Sequence, residues 1–145
     1  MEQTGTAQST RMQLVMEHLR AEQSHNLDGI ISTFGESPTF ILNGVTIEGR
    51  DAVRGLYAAF GFGGAGAFSN LTVDTQHCHD AGDAIVLEVL VRGVHTGEWQ
   101  GIPATQRSVA IPMCAVITFD SSGKMAGERV YFDGALLLRQ MGVLG

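Results

Sequence analysis

The feature that most constrains the fold is a run of long extended segments that fills the second half of the chain. Alternating apolar and polar residues predict strands over about residues 69–79, 84–96, 107–119 and 126–133. Turns rich in Gly, Ser or Pro separate each strand from the next. Strands joined so closely favour an antiparallel meander, because parallel neighbours need a long crossover connection.

The first half of the chain supplies helices that can cover one face of this sheet. Apolar residues recur at helical spacing from Ser9 to about Ser24. Asn26 is placed to cap a short second helix, which residues 35–38 bring to an end. A third helix follows Gly49. We therefore predict three helices ahead of the main sheet.

Helices followed by strands, without regular alternation, indicate an α+β domain. A hairpin at Asn43-Gly44 lies between the second and third helices, since this dipeptide is a strong signal for a tight turn. The 145 residues suffice for one hydrophobic core. We predict a disordered tail over residues 1–8 and a single domain over residues 9–145.

Charge and composition exclude several classes of partner. The formal net charge is −6 and no run of Lys or Arg occurs, which argues against nucleic acid and anionic membranes. Cys78 and Cys114 lack the spacing of a zinc or thioredoxin motif. The polar start of the chain has no apolar signal segment, so we expect reduced thiols and a cytoplasmic location.

A series of motifs in the second half resembles one family. The motifs are His95-Thr96-Gly97, Trp99, Gly101-Ile102-Pro103-Ala104-Thr105, the turn Ser122–Met125, a strand that ends at Asp133, and a leucine-rich helix with an Arg-Gln-x-Gly close over Leu136–Gly142. This order resembles the SnoaL-like polyketide cyclases of the NTF2-like superfamily, which also includes ketosteroid isomerase and limonene epoxide hydrolase. The likeness spans about residues 10–142.

The resemblance implies a fold and a range of activities. The fold would be an NTF2-like cone, a curved antiparallel sheet wrapped around three N-terminal helices with an internal apolar cavity. The activity would be cofactor-independent, metal-free acid/base cyclisation or isomerisation of an apolar, carbonyl-rich polyketide in secondary metabolism, a lyase or isomerase reaction. A homodimer packed through the sheet would be usual. An epoxide hydrolase of the limonene type and a non-catalytic small-molecule or protein-binding module remain alternatives.

The resemblance assigns the catalytic acid/base to Asp133. A carboxyl group in an apolar cavity has a raised pKa and can remove or return a proton. Tyr131 and Arg129 share its strand face, so we expect Tyr131 to polarise the substrate and Arg129 to bind it. The remaining face of that strand carries Glu128, Val130 and Phe132. The structural alternative is that Asp133 caps the turn that follows.

Three histidines are further candidates. His95 follows Val91 and Gly93 on the more apolar face of its strand, so we expect it to reach the cavity as a catalytic residue. A buried histidine bonded to the backbone is the alternative. His77 and His79 share a strand face and form half of a His-x-His metal site, but no third ligand has fixed spacing. We predict that they contact the substrate and bind no metal.

The other predicted substrate contacts are Glu22, Tyr57, Trp99 and Met113. His18, Glu22 and His25 fall on one side of the first helix, where Glu22 borders the apolar stripe. Trp99 and Tyr57 could form the walls of a cavity for a flat polycyclic substrate. Met113 lies on the penultimate strand, where these cyclases often place a histidine. Ordinary core packing and a solvated helix flank are the alternatives.

Overall fold

The computed structural model describes the backbone of residues 2–144 and the side chains of residues 10–144. The elements are α1 (Glu2–Gln23), α2 (Leu27–Ser32), β1 (Phe34–Leu42), β2 (Val45–Glu48), α3 (Arg50–Phe60), β3 (Phe68–Asp80), β4 (Ala84–His95), β5 (Ser108–Phe119), β6 (Met125–Phe132) and α4 (Gly134–Gln140). This order confirms the predicted α+β class.

The strands form one six-stranded sheet in the order β2-β1-β6-β5-β4-β3. Within the described residues every pairing is antiparallel except that of β1 with β6, in which Thr39 pairs with Gly127 and Leu42 with Val130. The sequence predicted an antiparallel sheet throughout. The β1 pairing departs from that prediction because β6 returns beside β1 only after α3 and the whole meander, and so long a connection permits parallel pairing.

Helices α1 and α3 cover the inner face of the sheet and create the core. Val15 of α1, Ile30 of α2 and Val53 of α3 are fully buried. Ile117 of β5 and Met125 of β6 are equally buried on the sheet side. Contacts of α1 with β3 and of α3 with β1 place these layers together. The core therefore lies in the concave space between helices and sheet.

Local signals for turns and caps are confirmed. The Asn26 side chain accepts a hydrogen bond from Gly29 N at 3.0 Å and caps α2. Asn43 and Gly44 have φ values of 47° and 86°, as expected for a tight hairpin in which both turn residues are left-handed. The Asn43 side chain also accepts from Phe132 N at 2.9 Å, which ties the hairpin to the end of β6.

Two boundaries differ from the predicted ones. Residues 35–38 continue β1 rather than ending the second helix, since a strand starts directly at Phe34. Helix α1 begins at Glu2, ahead of the expected start at Ser9. The side chains of residues 1–9 lie outside the described part, and the division into a tail over residues 1–8 and a domain over residues 9–145 stays a prediction.

A membrane span would need a long apolar helix. None of the helices described between residues 2 and 144 meets that requirement.

Candidate active site

A cavity of about 90 Å³ lies between the helices and the inner face of the sheet. Its walls come from α1, α3 and strands β1, β3, β4, β5 and β6. About half of the wall is aliphatic, with Val73, Leu87, Val89 and Val91 aligned on the inner faces of β3 and β4. Burial of apolar side chains stabilises the fold, so an unfilled space here is a cost that a ligand can offset.

One region of the cavity wall is polar. His18, Glu22, Tyr57 and Glu128 meet there, and their exposed fractions are only 1%, 9%, 4% and 6%. The Tyr57 hydroxyl donates to Glu128 Oε2 at 3.0 Å. His18 Nε2 lies 3.3 Å from the Tyr57 hydroxyl, 3.3 Å from Glu22 Oε2 and 3.7 Å from Glu128 Oε1. We call these four residues the acid cluster.

Simple periodicities bring the acid cluster together. His18 and Glu22 are one helical turn apart on α1, so both side chains point to the same side. Glu128 lies on the inner face of β6, where it shares alternation with Val130 and Phe132. Tyr57 belongs to the buried face of α3. Each element thus contributes polar atoms from a face that is otherwise apolar.

Thr33 fixes the orientation of the His18 ring. The Thr33 hydroxyl donates to the Ile30 carbonyl at 2.6 Å, so its oxygen is left to accept from His18 Nδ1 at 2.9 Å. This network assigns the proton on Nδ1 and directs Nε2 toward the acid cluster. Thr33 is itself buried, with an exposed fraction of 2%.

The environment shifts the protonation of Glu128 and Tyr57. Burial, followed by the nearby Glu22 carboxylate, raises the pKa of Glu128 to about 7, against the opposing effects of His18 and the Tyr57 hydrogen bond. Burial and the two carboxylates raise the pKa of Tyr57 well above its usual value. Glu128 can therefore exchange a proton near neutral pH, while Tyr57 remains a hydrogen-bond donor.

His18 responds to opposing influences. Burial lowers its pKa, but the charge and hydrogen bond of Glu22 together with the charge of Glu128 outweigh that effect, so the pKa of His18 is raised overall. A cationic imidazole between two carboxylates balances their charge. The acid cluster is thus a coupled group that shares its protons.

Aromatic residues form another part of the wall. Phe60 and Phe62 stack with ring centres 5.7 Å apart, and Trp99 meets Phe60 edge-on at 5.3 Å. Trp99 and Ile102 form a β-bridge that closes the loop between β4 and β5. The bridge between Trp99 and Ile102 therefore holds an aromatic ring against the cavity.

Asp133 lies outside the cavity wall. Its carboxylate accepts from Leu136 N at 3.1 Å and caps α4. This is the capping role that was considered as the alternative to catalysis. The expectation that Asp133 faces the cavity is corrected, because alternation along β6 points Glu128 inward and the residues of the Asp133 row outward.

Tyr131 and Arg129 share that outward direction. Tyr131 has an exposed fraction of 48%, and Arg129 is also exposed. Neither residue contributes to the cavity wall. The prediction that these two and Asp133 occupy one strand face agrees with the structure, but that face is the outer one.

His95 is fully buried beside the cavity without lining it. Its Nδ1 accepts from Thr105 N at 3.2 Å and lies 2.9 Å from the Thr105 hydroxyl. Its ring lies 5.3 Å from that of Phe68, and Nε2 has no hydrogen-bond partner in the described part of the chain. Burial lowers the pKa of His95, partly offset by the Gly97 backbone. Its contacts match the alternative of a buried histidine bonded to the backbone.

His77 and His79 are exposed on the outer face of the sheet. A register shift between Thr75 and His77 inserts an extra residue in β3 and reverses the inward and outward alternation. His79 instead pairs with Glu88 at 2.9 Å. Among the described side chains, no group of three His, Cys, Asp or Glu residues is arranged to hold a metal ion.

Four predicted contacts do line the cavity, namely Glu22, Tyr57, Trp99 and Met113. His18 and Glu128 also line the cavity, although the sequence did not predict either as a site residue. One signal was present for each. His18 is one turn from Glu22 on the same helix side, and Glu128 is the only charged residue of its row on β6.

Solved structures with the same fold include proteins from several sources. AclR from Streptomyces galilaeus, provisionally assigned as a hydroxylase, is 21% identical with a TM-score of 0.79, covering 94% of this chain and 98% of that one. A provisionally named SnoaL-like polyketide cyclase from Jannaschia sp. CCS1 is 18% identical with a TM-score of 0.80, covering 94% of each chain.

SalBIII, described as an epoxide hydrolase/cyclase-like enzyme with a role in pyran ring formation in the polyether salinomycin, is 21% identical with a TM-score of 0.71. That comparison covers 87% of this chain and 92% of SalBIII. At these identities the likeness shows the fold, which is NTF2-like.

Among curated protein sequences, none matches this chain. The sequence profile of the SnoaL-like polyketide cyclases matches residues 43–141, which is more than half of the chain. The match includes β6 with Glu128 and α3 with Tyr57, and it begins after α1 with His18 and Glu22. The chain belongs to the SnoaL-like polyketide cyclase family.

Proposed function

We propose that this protein is an acid/base enzyme that transfers a proton on an apolar carbonyl compound, in a polyketide-type cyclisation or isomerisation. The observation that carries the proposal is the buried hydrogen bond from Tyr57 to Glu128 in the wall of an apolar cavity. Membership of the SnoaL-like family supports an enzyme of this broad kind. Within the cavity, Glu128 supplies the proton acceptor and Tyr57 supplies the hydrogen-bond donor.

In the first step, the Glu128 carboxylate removes a proton from the carbon next to the substrate carbonyl. The electron pair of that C–H bond moves into an enolate. Once Glu128 has taken up the substrate proton, the Tyr57 hydroxyl turns from Glu128 and donates its single hydrogen bond to the enolate oxygen. The raised pKa of Tyr57 keeps its proton in place, so it stabilises the oxyanion without being consumed.

The second step returns the proton from Glu128. In an isomerisation, the proton goes to a different carbon of the dienolate. In an aldol cyclisation, the enolate carbon bonds to a second carbonyl carbon, and the new alkoxide takes the proton. A group with a pKa of about 7 suits both the removal and the return of the proton, because near neutral pH it can take up or release a proton at low cost.

His18 and Glu22 tune this chemistry. The imidazole Nε2 lies within 3.7 Å of both carboxylates, so its positive charge can offset theirs while Glu128 is ionised. Thr33 keeps Nε2 turned toward the acid cluster. We therefore assign Glu128 as base and acid, Tyr57 as donor to the oxyanion, and His18 and Glu22 as groups that set the charge.

The test is deuterium exchange next to the carbonyl of simple ketones in heavy water, followed by NMR. The wild-type protein should accelerate exchange relative to buffer. Glu128→Gln should lower the protein-catalysed exchange rate at least about 100-fold. Glu88→Gln, which alters an exposed carboxylate on the outer face, is the matched control and should exchange like wild type. Equal rates for Glu128→Gln and wild type would reject the proposal.

Epoxide opening is a second candidate, favoured by the pair of carboxylates that both approach His18 Nε2. SalBIII shares the fold and is described as epoxide hydrolase/cyclase-like. One carboxylate would activate water while the other, protonated, donates to the epoxide oxygen. Incorporation of labelled water oxygen into a diol product distinguishes this reaction from proton transfer on carbon. A non-catalytic binding module would show neither activity.

The homodimer packed through the sheet and the cytoplasmic location also remain proposals. Both rest on the family resemblance and on the composition of the chain. Sedimentation of the purified protein at several concentrations tests the dimer, since a monomer at all concentrations would reject it.

A further inference from the structure

We propose that the ligand of this cavity is a compact apolar molecule of about one ring with a single hydrogen-bonding oxygen, rather than a flat polycyclic polyketide. The inference concerns the same cavity as the proposed function and rests on it for the role of the oxygen. Of the two reactions proposed there it selects isomerisation, because an aldol closure needs a second carbonyl group. It concerns size and polarity, which can be measured by binding without any turnover.

The volume sets the size limit. The cavity measures about 90 Å³. An engineered cavity of roughly 150 Å³ with similar aliphatic and aromatic walls binds one benzene molecule. A ligand with three or four fused rings therefore exceeds this volume, whereas about one ring fits if the walls relax slightly.

The distribution of polar atoms sets the polarity. Among the described residues that line the cavity, the polar side chains are the acid cluster and Trp99. All other lining residues are aliphatic, Phe or Met. A second or third carbonyl group would lose its hydrogen bonds with water against these walls without gaining new ones. The polar part of the wall can therefore hydrogen-bond one ligand oxygen, placed beside Tyr57 and Glu128.

The entrance and the acid cluster lie at different depths. Along the inner face of β6, Phe132 is half-buried, Val130 is buried, and Glu128 is buried beside Tyr57. Leu42 and Leu56 are likewise half-buried lining residues. A molecule that enters past these apolar side chains must carry its oxygen at the leading end.

The aromatic wall limits growth in another direction. Phe62 is buried and stacked on Phe60, and Trp99 has an exposed fraction of only 7%. Phe60 also packs against Phe68 with ring centres 4.7 Å apart. These contacts leave no slot between the rings for a second fused ring of the ligand.

The experiment uses the only tryptophan in the chain as the reporter. Trp99 lines the cavity, so the full chain labelled with fluorotryptophan gives a single fluorine NMR resonance that responds to occupancy. The probes are cyclohexanone, tetralone and anthrone, which add one fused ring at a time to one carbonyl. Methylcyclohexane is the matched probe without oxygen.

We expect cyclohexanone to shift the Trp99 resonance saturably and to bind at least about tenfold more tightly than anthrone or methylcyclohexane. Ala115→Leu, which fills the cavity opposite Val130, should weaken the binding of cyclohexanone at least about tenfold. Phe62→Ala should admit tetralone by enlarging the aromatic end. Circular dichroism confirms that each variant folds, and these two variants alter the cavity in opposite directions.

Anthrone that binds as tightly as cyclohexanone would overturn the proposal, as would the absence of any shift with all probes. If methylcyclohexane bound as tightly as cyclohexanone, the proposed role of the oxygen would be overturned. The proposed function fails separately. A protein that binds cyclohexanone at Trp99 but exchanges none of its hydrogens retains this ligand class and loses the assigned chemistry.

Discussion

The Tyr57 hydroxyl and the Glu128 carboxylate are joined by a 3.0 Å hydrogen bond inside an apolar cavity. Tyr57 comes from a helix near the middle of the chain and Glu128 from the last strand, so only the tertiary fold brings them together. Burial of a carboxyl beside a donor that keeps its own proton is an arrangement suited to proton transfer on carbon. The following expectations derive from it.

Glu128 and Asp133 should behave differently when neutralised. Glu128→Gln should abolish deuterium exchange, whereas Asp133→Asn should leave it within about twofold, because Asp133 caps α4 outside the cavity. Asn is also a good N-cap residue, and Asp133→Ala should lower the free energy of unfolding by about 1 kcal/mol. Exchange rates and urea unfolding of the three variants test this contrast. Loss of exchange in Asp133→Asn would restore Asp133 as the catalytic candidate.

Tyr57→Phe should reduce exchange by about 10- to 100-fold, since the oxyanion loses its donor. The same change should shift the pH–rate profile to higher pH. The Tyr57 hydrogen bond lowers the pKa of Glu128, so its removal lets that pKa rise. The pH dependence of exchange measures both effects. An unchanged profile would show that the phenol does not act on Glu128.

Stability should fall as pH rises through neutrality. The pKa of Glu128 is raised in the folded state from 4.5 to about 7, so the folded state binds the proton more tightly than the unfolded state does. This stabilisation is complete below the unfolded pKa and is lost as pH rises through the folded one. The raised pKa of His18 acts in the same direction.

The variant Glu128→Gln isolates the contribution of that carboxyl. Wild type should lose on the order of 3 kcal/mol relative to this variant between mildly acidic pH and about pH 8. Urea unfolding at several pH values gives the difference. Parallel stability curves for the two proteins would mean that Glu128 ionises as it does in water.

Thr33→Val should destabilise the fold by about 1–3 kcal/mol, because the buried His18 Nδ1 loses its acceptor. Thr33→Ser keeps the hydroxyl and serves as the matched control. Nitrogen NMR of His18 adds a readout that packing alone does not move, since the proton should leave Nδ1 more readily in the valine variant. Retention of the Nδ1 proton with full stability would remove the positioning role of Thr33.

Periodicity and turn chemistry made the fold predictable. Alternation located β3 to β6, and Asn26 and the Asn43-Gly44 turn were recognisable because their side chains and left-handed backbones act locally. The parallel pairing of β1 with β6 was not predictable in this way. It joins two strands that α3 and strands β3 to β5 separate in sequence, and no local sequence pattern links strands so far apart.

The site was predictable only in part. The residues on each face of β6 were identified correctly, but the order of residues cannot say which face meets the helices. Polar side chains favour the Arg129–Tyr131 row as the functional face, whereas Glu128 lies among apolar neighbours that mark the buried face. The bulge beside Thr75 also turned His77 away from the inside, and strand alternation alone does not reveal a bulge.

The ionisation of Glu128 tests the central claim most directly. Carbon NMR of the side-chain carboxyls follows each group through a pH titration, and Glu128→Gln identifies the resonance by its disappearance. We predict that Glu128 titrates near pH 7, shifted upward by burial and by Glu22. A midpoint at the ordinary value of 4.5 would contradict the account, because such a carboxylate would be solvated and a weak base near neutral pH.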